Sequence, residues 1–302
     1  TAMFEELTAA IEELTEKAEN GVNVMGAYDA VYAGDATKWV KYGNSLMLRL
    51  AMRARFADAE LAKKFATQAV NHSIGVMTAK DDAAQMSQGA GMTFRNNIEW
   101  LAGNYNEARM GSSIFSYLMG YEDPRLNVYF LPMDGNASYG VEAFNGKTYQ
   151  AVPAGHANAQ NDIYKSCSKP NIQSGTPTYW LRASEVYFLR AEAALVWEGF
   201  GSADSWYKQG IDMSFQENGV TEPVDDYMNS NLSPRAYVLS HYQYGQTLSA
   251  PCETTAKFEG TTEQKLEKIM IQKWIALFPN GQEAWTEWRR MMQLPSLANS
   301  LI

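Results

Sequence analysis

The sequence contains very few of the residues on which metal sites and nucleophilic catalysis depend. Its 302 residues include three histidines, at positions 72, 156 and 241, and two cysteines, Cys167 and Cys252. No spacing places two histidines on one helix face, and none neighbours a cysteine, so a zinc site is not expected. The cysteine count implies no disulfide framework, and it leaves open whether the two form one long-range disulfide or remain free thiols.

Other catalytic signatures are also missing. There is no Gly-x-Ser-x-Gly elbow, and Gly89-Ala90-Gly91 lacks the strand and the lysine that would make it a phosphate loop. Asp81-Asp82 could offer oxygen ligands to an irregular calcium site, but no EF-hand pattern surrounds it. The sequence therefore predicts neither a cofactor nor a resident metal, and it predicts that the protein is not an enzyme.

Two glutamates on one predicted helix face resemble the carboxylate pair of a glycosidase. Glu185 and Glu192 lie two turns apart, about 10 Å along the helix axis. Structural ion pairs with Arg182 or Arg190 are the simpler explanation, and we expect those.

The chain lacks a positive charge excess and long apolar runs. Its net charge is −9 and its longest basic cluster is Arg49, Arg53 and Arg55, which argues against nucleic acid as a partner. No run of 18 or more apolar residues predicts a membrane-spanning helix. Thr1 begins directly in a helical pattern, and no signal-peptide pattern is expected within these 302 residues.

Helical periodicity dominates both ends of the chain. Apolar residues recur at helical spacing, and Asp35 is placed to cap the second helix. The predicted helices are 4–18, 35–54, 59–72, 186–196, 203–217, 266–277 and 285–292.

Two of the predicted helical hairpins, 35–72 and 182–217, look alike. Phe65, Ala69 and Val70 of the first match Trp206, Gly210 and Ile211 of the second. A small residue facing an aromatic one turn away is typical of tetratricopeptide hairpins.

The middle of the chain, 78–177, is rich in Gly, Asn, Ser, Asp and Pro, and only 112–120 there is predicted to be helical. No series of alternating strands stands out. We therefore predict a mainly α fold, in one domain, with tetratricopeptide-like hairpins. The helical body would be 1–77 and 178–302, and 78–177 would be a loop-rich insertion forming the candidate ligand face, since long loops in compact proteins are often functional.

Aromatic residues flanked by amides and Arg make the insertion a candidate glycan-binding surface. A ring face can stack on a pyranose while amides and guanidinium groups bind its hydroxyls. The densest group is Arg95, Asn96, Asn97, Trp100, Asn104 and Tyr105, and the second is Tyr139, Phe144 and Tyr149. Each ring, taken singly, could instead pin the insertion to the helical body.

Several segments, in order along the chain, resemble the SusD/RagB family, in particular its SusD-like branch from Bacteroidota. They are KWVKYGNSLMLRLAMR at 38–53, GYEDPRL at 120–126, SEVYFLRAEA at 184–193 and QKWIALF at 272–278. The resemblance implies a helical, tetratricopeptide-containing lipoprotein at the cell surface of the outer membrane.

The resemblance also implies partners. Such a protein would hold oligosaccharides over a TonB-dependent, SusC-like transporter, and its only membrane attachment would be a lipid anchor. The signal peptide, the lipid-bearing cysteine and further helices are expected to lie before Thr1, outside this sequence. Peptide capture on the same scaffold and a tetratricopeptide scaffold for protein partners remain the alternatives.

Overall fold

The computed structural model describes residues 1–134, 141–153, 155, 164–239 and 245–291. The chain divides into two compact units. The first contains Thr1–Arg95, Gly175–Glu217 and the last helix, and the second contains Asn96–Ser174 and Asn218–Pro279. The division into a helical body and an insertion with a ligand face stays a prediction.

The first unit is built from helices that pack along the chain as hairpins. Asp35 and Asp58 cap the second and third helices by accepting the N–H groups of Lys38 and Leu61. The helices of this unit are α1 (Ala2–Glu19), α2 (Ala36–Ala54), α3 (Ala59–Val70), α7 (Ala183–Val196), α8 (Ala203–Glu217) and α11 (Gly281–Met291).

Close approaches between these helices depend on small residues. A Cβ on Gly43 of α2 would lie 2.7 Å from Ile11 of α1, and one on Gly210 of α8 would lie 2.7 Å from the Phe188 ring of α7. The predicted facing of Gly210 by an aromatic residue is thus observed, but the ring belongs to Phe188 rather than to Trp206 of the same helix. In the first hairpin Phe65 stacks on Phe4 at a centroid distance of 4.2 Å.

Buried ion pairs join helices that are far apart in sequence. Glu185 accepts hydrogen bonds from Arg49 at 2.7 and 2.8 Å, and Glu192 accepts them from Arg55 at 3.0 Å and Arg290 at 2.6 Å. Both glutamates are therefore structural, as expected.

The expected partners of these glutamates were wrong. Arg182 instead lies beside Glu217, at 3.9 Å, and the Arg190 guanidinium covers the Trp206 ring at 3.6 Å. Sequence spacing on one helix favours neighbours on that helix, whereas the observed partners come from other elements.

The second unit combines one 15-residue helix and several short helices with loops and two β-hairpins. Its helices are α4 (Asn97–Gly103), α5 (Ser112–Gly120), α6 (Leu126–Tyr129), α9 (Val224–Met228) and α10 (Thr262–Ala276). Strands β2 (Val141–Phe144) and β3 (Lys147–Gln150) pair antiparallel, as do β5 (Tyr237–Leu239) and β6 (Gln246–Leu248). In the first unit β1 (Ala84–Met86) pairs with β4 (Thr178–Leu181). Strands of three or four residues are too short to show a clear alternation.

A fully buried arginine joins several side chains in the core of the second unit. Arg125 is fully buried and donates to Asp123 at 2.6 Å and to Gln272 at 2.8 Å. Tyr227 donates to the same Asp123 carboxylate at 2.8 Å. Every oxygen and nitrogen in such a network must be satisfied, because an unpaired buried charge is costly.

Both cysteines, Cys167 and Cys252, are free thiols in this unit, which settles the question that the sequence left open. None of the helices among the described residues is long and apolar enough to cross a bilayer.

Candidate functional site

The first predicted group of binding residues is arranged around the short helix α4. Asn96 caps this helix by accepting the N–H of Ile98 at 3.0 Å, and its side chain is buried. Asn97, in the first turn of α4, is exposed. Arg95 is also exposed, and it ends the first segment of the first unit. Asn96 thus positions the helix, while its neighbours present polar groups to solvent.

The end of α4 brings Trp100 and Tyr105 together. The Trp100 carbonyl accepts the N–H groups of Asn104 at 2.9 Å and Tyr105 at 3.3 Å, and Glu107 N–H bonds to the Leu101 carbonyl. This closure is typical of a helix C-terminus. It places the two ring centroids 6.0 Å apart at an interplanar angle of 43°.

Both rings are accessible to solvent. Trp100 is 38% exposed and Tyr105 is 58% exposed, and Asn104 between them is exposed as well. Two ring faces beside an amide form the combination that binds saccharides, since the rings cover apolar sugar faces and the amide can both donate and accept. We refer to Trp100, Asn104 and Tyr105 as the aromatic platform.

The second predicted group is divided by the structure. Tyr139 lies outside the described residues. Phe144 is half-buried at the tip of the β2–β3 hairpin. Tyr149 is fully buried, and its hydroxyl donates to Asn127 at 2.7 Å. Burial also raises the pKa of Tyr149. We therefore leave Tyr149 out of the candidate surface.

The Asp81-Asp82 pair has a structural explanation. Asp82 is buried and accepts the N–H groups of Thr78 and Ala79 at 2.9 and 3.0 Å, and it pairs with Lys41 at 2.9 Å. These donors hold the pKa of Asp82 below its usual value although burial acts to raise it. Within the described ranges, no three His, Cys, Asp or Glu side chains are grouped in a way that could hold a metal ion. His156 and His241 lie outside those ranges.

The first unit contains a cleft that no motif in the sequence predicts. Its volume is about 580 Å³, and its polar lining includes Asp29, Lys38, Lys80, Gln85, Arg182 and Glu217. These residues come from five separate stretches of chain, so no local spacing points to them. The only signal in the sequence is a run of small and polar residues at 83–91, which is equally typical of a loop.

Comparison with known proteins gives a whole-chain family match. Residues 1–297 match the SusD-like family, described as Susd and RagB outer membrane lipoprotein. No curated protein matches the chain.

Solved structures with the same fold come from Bacteroidota. A SusD-like protein from Bacteroides thetaiotaomicron is 32% identical, with a TM-score of 0.87, and the match covers 99% of this chain and 61% of that one. A chitin-binding SusD homologue from Flavobacterium johnsoniae is 33% identical, with a TM-score of 0.84, covering 96% and 58%. A SusD homologue from Bacteroides vulgatus is 32% identical, with a TM-score of 0.81, covering 97% and 59%.

The chain spans about three fifths of the length of these solved structures. The predicted fold class, mainly α with tetratricopeptide-like hairpins, is confirmed by this similarity and by the observed helices.

Proposed function

The chain belongs to the SusD and RagB family of outer membrane lipoproteins, and from this premise we propose that it captures oligosaccharides without catalysing a reaction. The observation that carries the proposal is the aromatic platform. Large rings are normally buried, because exposing them forfeits the free energy gained by removing their apolar surface from water. A pair of exposed rings held in fixed geometry by a helix end therefore favours a ligand that covers them.

A saccharide fits the chemistry of the platform. The Trp100 and Tyr105 faces are apolar, while the Asn104 amide and the Tyr105 hydroxyl can bond sugar hydroxyls. The chitin-binding homologue from Flavobacterium johnsoniae supports a glycan as the ligand class. Among the described residues no group of metal ligands accompanies the rings, and the role we propose is binding and delivery.

The partner and the location follow from the same premise. We place the protein at the outer face of the outer membrane, attached by a lipid anchor on a segment outside this chain. There it would pass its ligand to a TonB-dependent, SusC-like transporter. Pull-down of such a transporter with the full-length protein from cell envelopes would support this pairing, and its consistent absence would contradict it.

The platform can be tested with a double variant, Trp100→Ala with Tyr105→Ala. Calorimetry against a panel of oligosaccharides that begins with chito-oligosaccharides should show at least a tenfold weaker affinity, about 1.4 kcal/mol. The melting temperature should change little, because neither side chain belongs to the buried core.

A matched control removes one exposed tryptophan and one exposed tyrosine elsewhere. Trp285 is 53% exposed and Tyr28 is 83% exposed, both in the first unit. Trp285→Ala with Tyr28→Ala should leave affinity unchanged. Equal losses in both double variants, or none in either, would remove the platform from the proposal. Binding of a peptide panel without any oligosaccharide binding would instead favour peptide capture.

A further inference from the structure

Paired strands and a close backbone approach shape the cleft in the first unit. The β1–β4 ladder pairs Gln85 with Tyr179, and Gly89 comes so close to Ala30 that an added Cβ would lie 2.8 Å from the Ala30 Cβ. Small residues line much of the remaining wall, including Ala27, Ala33, Ala83 and Ala90. The volume of about 580 Å³ is within the range of ligand pockets.

Two of the three carboxylates that line the cleft, those of Asp29 and Glu217, are occupied by donors of the protein, and the third, that of Asp81, is exposed. The Asp29 carboxylate accepts four hydrogen bonds of 2.7–3.2 Å, from the N–H groups of Val31, Tyr32 and Gly34 and from the Trp39 indole. A carboxylate with four donors has little capacity left for an external cation or hydroxyl.

The Glu217 carboxylate, which also lines the cleft, is likewise occupied by donors of the protein. It accepts the N–H and the hydroxyl of Ser184 at 3.0 and 2.5 Å, and the Arg182 Nε lies 3.9 Å away. Burial raises the pKa of Glu217, against the opposing effect of Arg182. The guanidinium of Arg182 also lies 4.9 Å from the centre of the Tyr179 ring, which forms one wall.

The lysines at the cleft retain donor capacity. Lys38 Nζ donates to the Asp81 carbonyl at 2.8 Å, and an ammonium group has two further protons to donate. Lys80 is exposed. Its ammonium group makes no hydrogen bond or ion pair with the described residues. Lys38 and Lys80 therefore offer unused cationic donors at this cleft, whereas the carboxylates of Asp29 and Glu217 are engaged.

We propose that this cleft is a second saccharide site that binds an acidic sugar unit, with Lys38 and Lys80 holding the carboxylate and Gln85 and Tyr179 contacting the ring. This rests on the proposed function, since it takes the ligands to be glycans. A net charge of −9 repels polyanions as a whole. The cleft would therefore recognise a single acidic unit, such as a chain end or a branch, rather than a highly charged polymer.

The probe is glucuronate, with glucose as the neutral counterpart, titrated by NMR against the intact chain. Glucuronate should shift the resonances of cleft residues saturably and bind at least tenfold more tightly than glucose. The preference should shrink as the salt concentration rises, because screening weakens exposed charge pairs. Equal binding of the two sugars, or equal competition by acetate, would overturn the proposal.

Two variants isolate the lysines. Lys38→Gln with Lys80→Gln should abolish the preference for glucuronate, and Lys80→Gln alone, which breaks no described side-chain bond, should reduce it. The control, Lys63→Gln with Lys64→Gln on α3, removes the same charge from the same unit and should keep the preference. A loss in the control equal to that in the cleft variant would show an effect of overall charge only and overturn the site.

A filling variant tests the cavity without changing charge. Ala83→Leu should weaken both sugars while the melting temperature confirms folding, and unchanged glucuronate binding would contradict the site. The platform variant, Trp100→Ala with Tyr105→Ala, should leave glucuronate binding intact. These variants therefore distinguish a failure of oligosaccharide capture at the platform from a failure of acid recognition at the cleft.

Discussion

The two compact units bury their charged residues in different ways. In the first unit, the Glu192 carboxylate accepts hydrogen bonds from both Arg55 and Arg290. In the second unit, the fully buried Arg125 guanidinium donates to both Asp123 and Gln272. The first arrangement gives one carboxylate two cationic partners, whereas in the second one guanidinium joins a carboxylate and an amide.

The difference matters for function because the exposed rings lie in the second unit. Loops and short helices have few regular hydrogen bonds of their own, so they rely on side-chain networks for a fixed conformation. We infer that the Arg125 network maintains the order of the unit that carries Trp100 and Tyr105, while the hairpins of the first unit are stable through repeated apolar contacts.

The largest expected loss of stability comes from removing Arg125 from the buried network of the second unit. Arg125→Ala would leave the buried Asp123 carboxylate without its cation, and such a change costs about 3–5 kcal/mol. Urea unfolding monitored by tryptophan fluorescence would measure it. A loss below about 1 kcal/mol would show that the second unit does not depend on this residue.

A smaller loss of stability is expected when Glu192 of the first unit is changed. Glu192→Gln removes a carboxylate from two arginines, but Arg290 also lies beside Glu287 and keeps that partner. Loss of charge-assisted hydrogen bonds of this kind costs about 1.5–3 kcal/mol. The comparison between the units fails if Glu192→Gln proves more destabilising than Arg125→Ala in the same assay.

The hairpin packing of the first unit can be tested at Gly210. Gly210→Ala would bring a methyl group 2.7 Å from the Phe188 ring, and overpacking of this kind costs about 1–3 kcal/mol. The gain in helix propensity, about 1 kcal/mol, offsets part of this. Gly219→Ala is no matched control because its φ is +67°, so Gln209→Ala, on the same helix, serves instead. A Gly210→Ala protein as stable as the wild type would contradict the close approach.

The smallest effect concerns pH and again belongs to the first unit. Four donated hydrogen bonds hold the pKa of Asp29 below its ordinary value of 3.8, although burial acts in the opposite direction. A lowered pKa stabilises the fold above the ordinary pKa, and this contribution disappears as the pH falls below it. The stability difference between the wild type and Asp29→Asn should therefore be larger at pH 6 than at pH 3, as measured by urea unfolding. A difference independent of pH would contradict the shift.

The first unit was largely predictable from the sequence because its signals are local and repeated. The stripes at 4–18, 35–54 and 203–217 each lie on an observed helix, and the Asp35 cap is where the sequence places it. The partners of Glu185 and Glu192 were not predictable, since Arg49 and Arg290 are more than 90 positions away.

The candidate surfaces were predictable only in part. Trp100 and Tyr105 stood out because polar residues surround them, and both are exposed. Tyr149 has a similar polar neighbourhood but is buried, because Asn127 and the β2–β3 hairpin enclose it. Local composition shows that an aromatic residue has polar neighbours in the sequence. It does not show which distant segments pack over that residue in the folded protein. The cleft was not predictable from the sequence for the same reason.

The two free cysteines offer a practical route to following ligand binding. Burial raises the pKa of Cys167 to about 12, and it also raises the pKa of Cys252. Thiol reagents attack the thiolate form, so both native cysteines should react slowly at neutral pH. A cysteine introduced by Asn104→Cys would be exposed to solvent and would take up a maleimide dye selectively. The dye would be attached at the aromatic platform in place of the Asn104 amide. A sugar that covers Trp100 and Tyr105 would have to displace the dye from these rings, with reduced affinity, and would change its fluorescence.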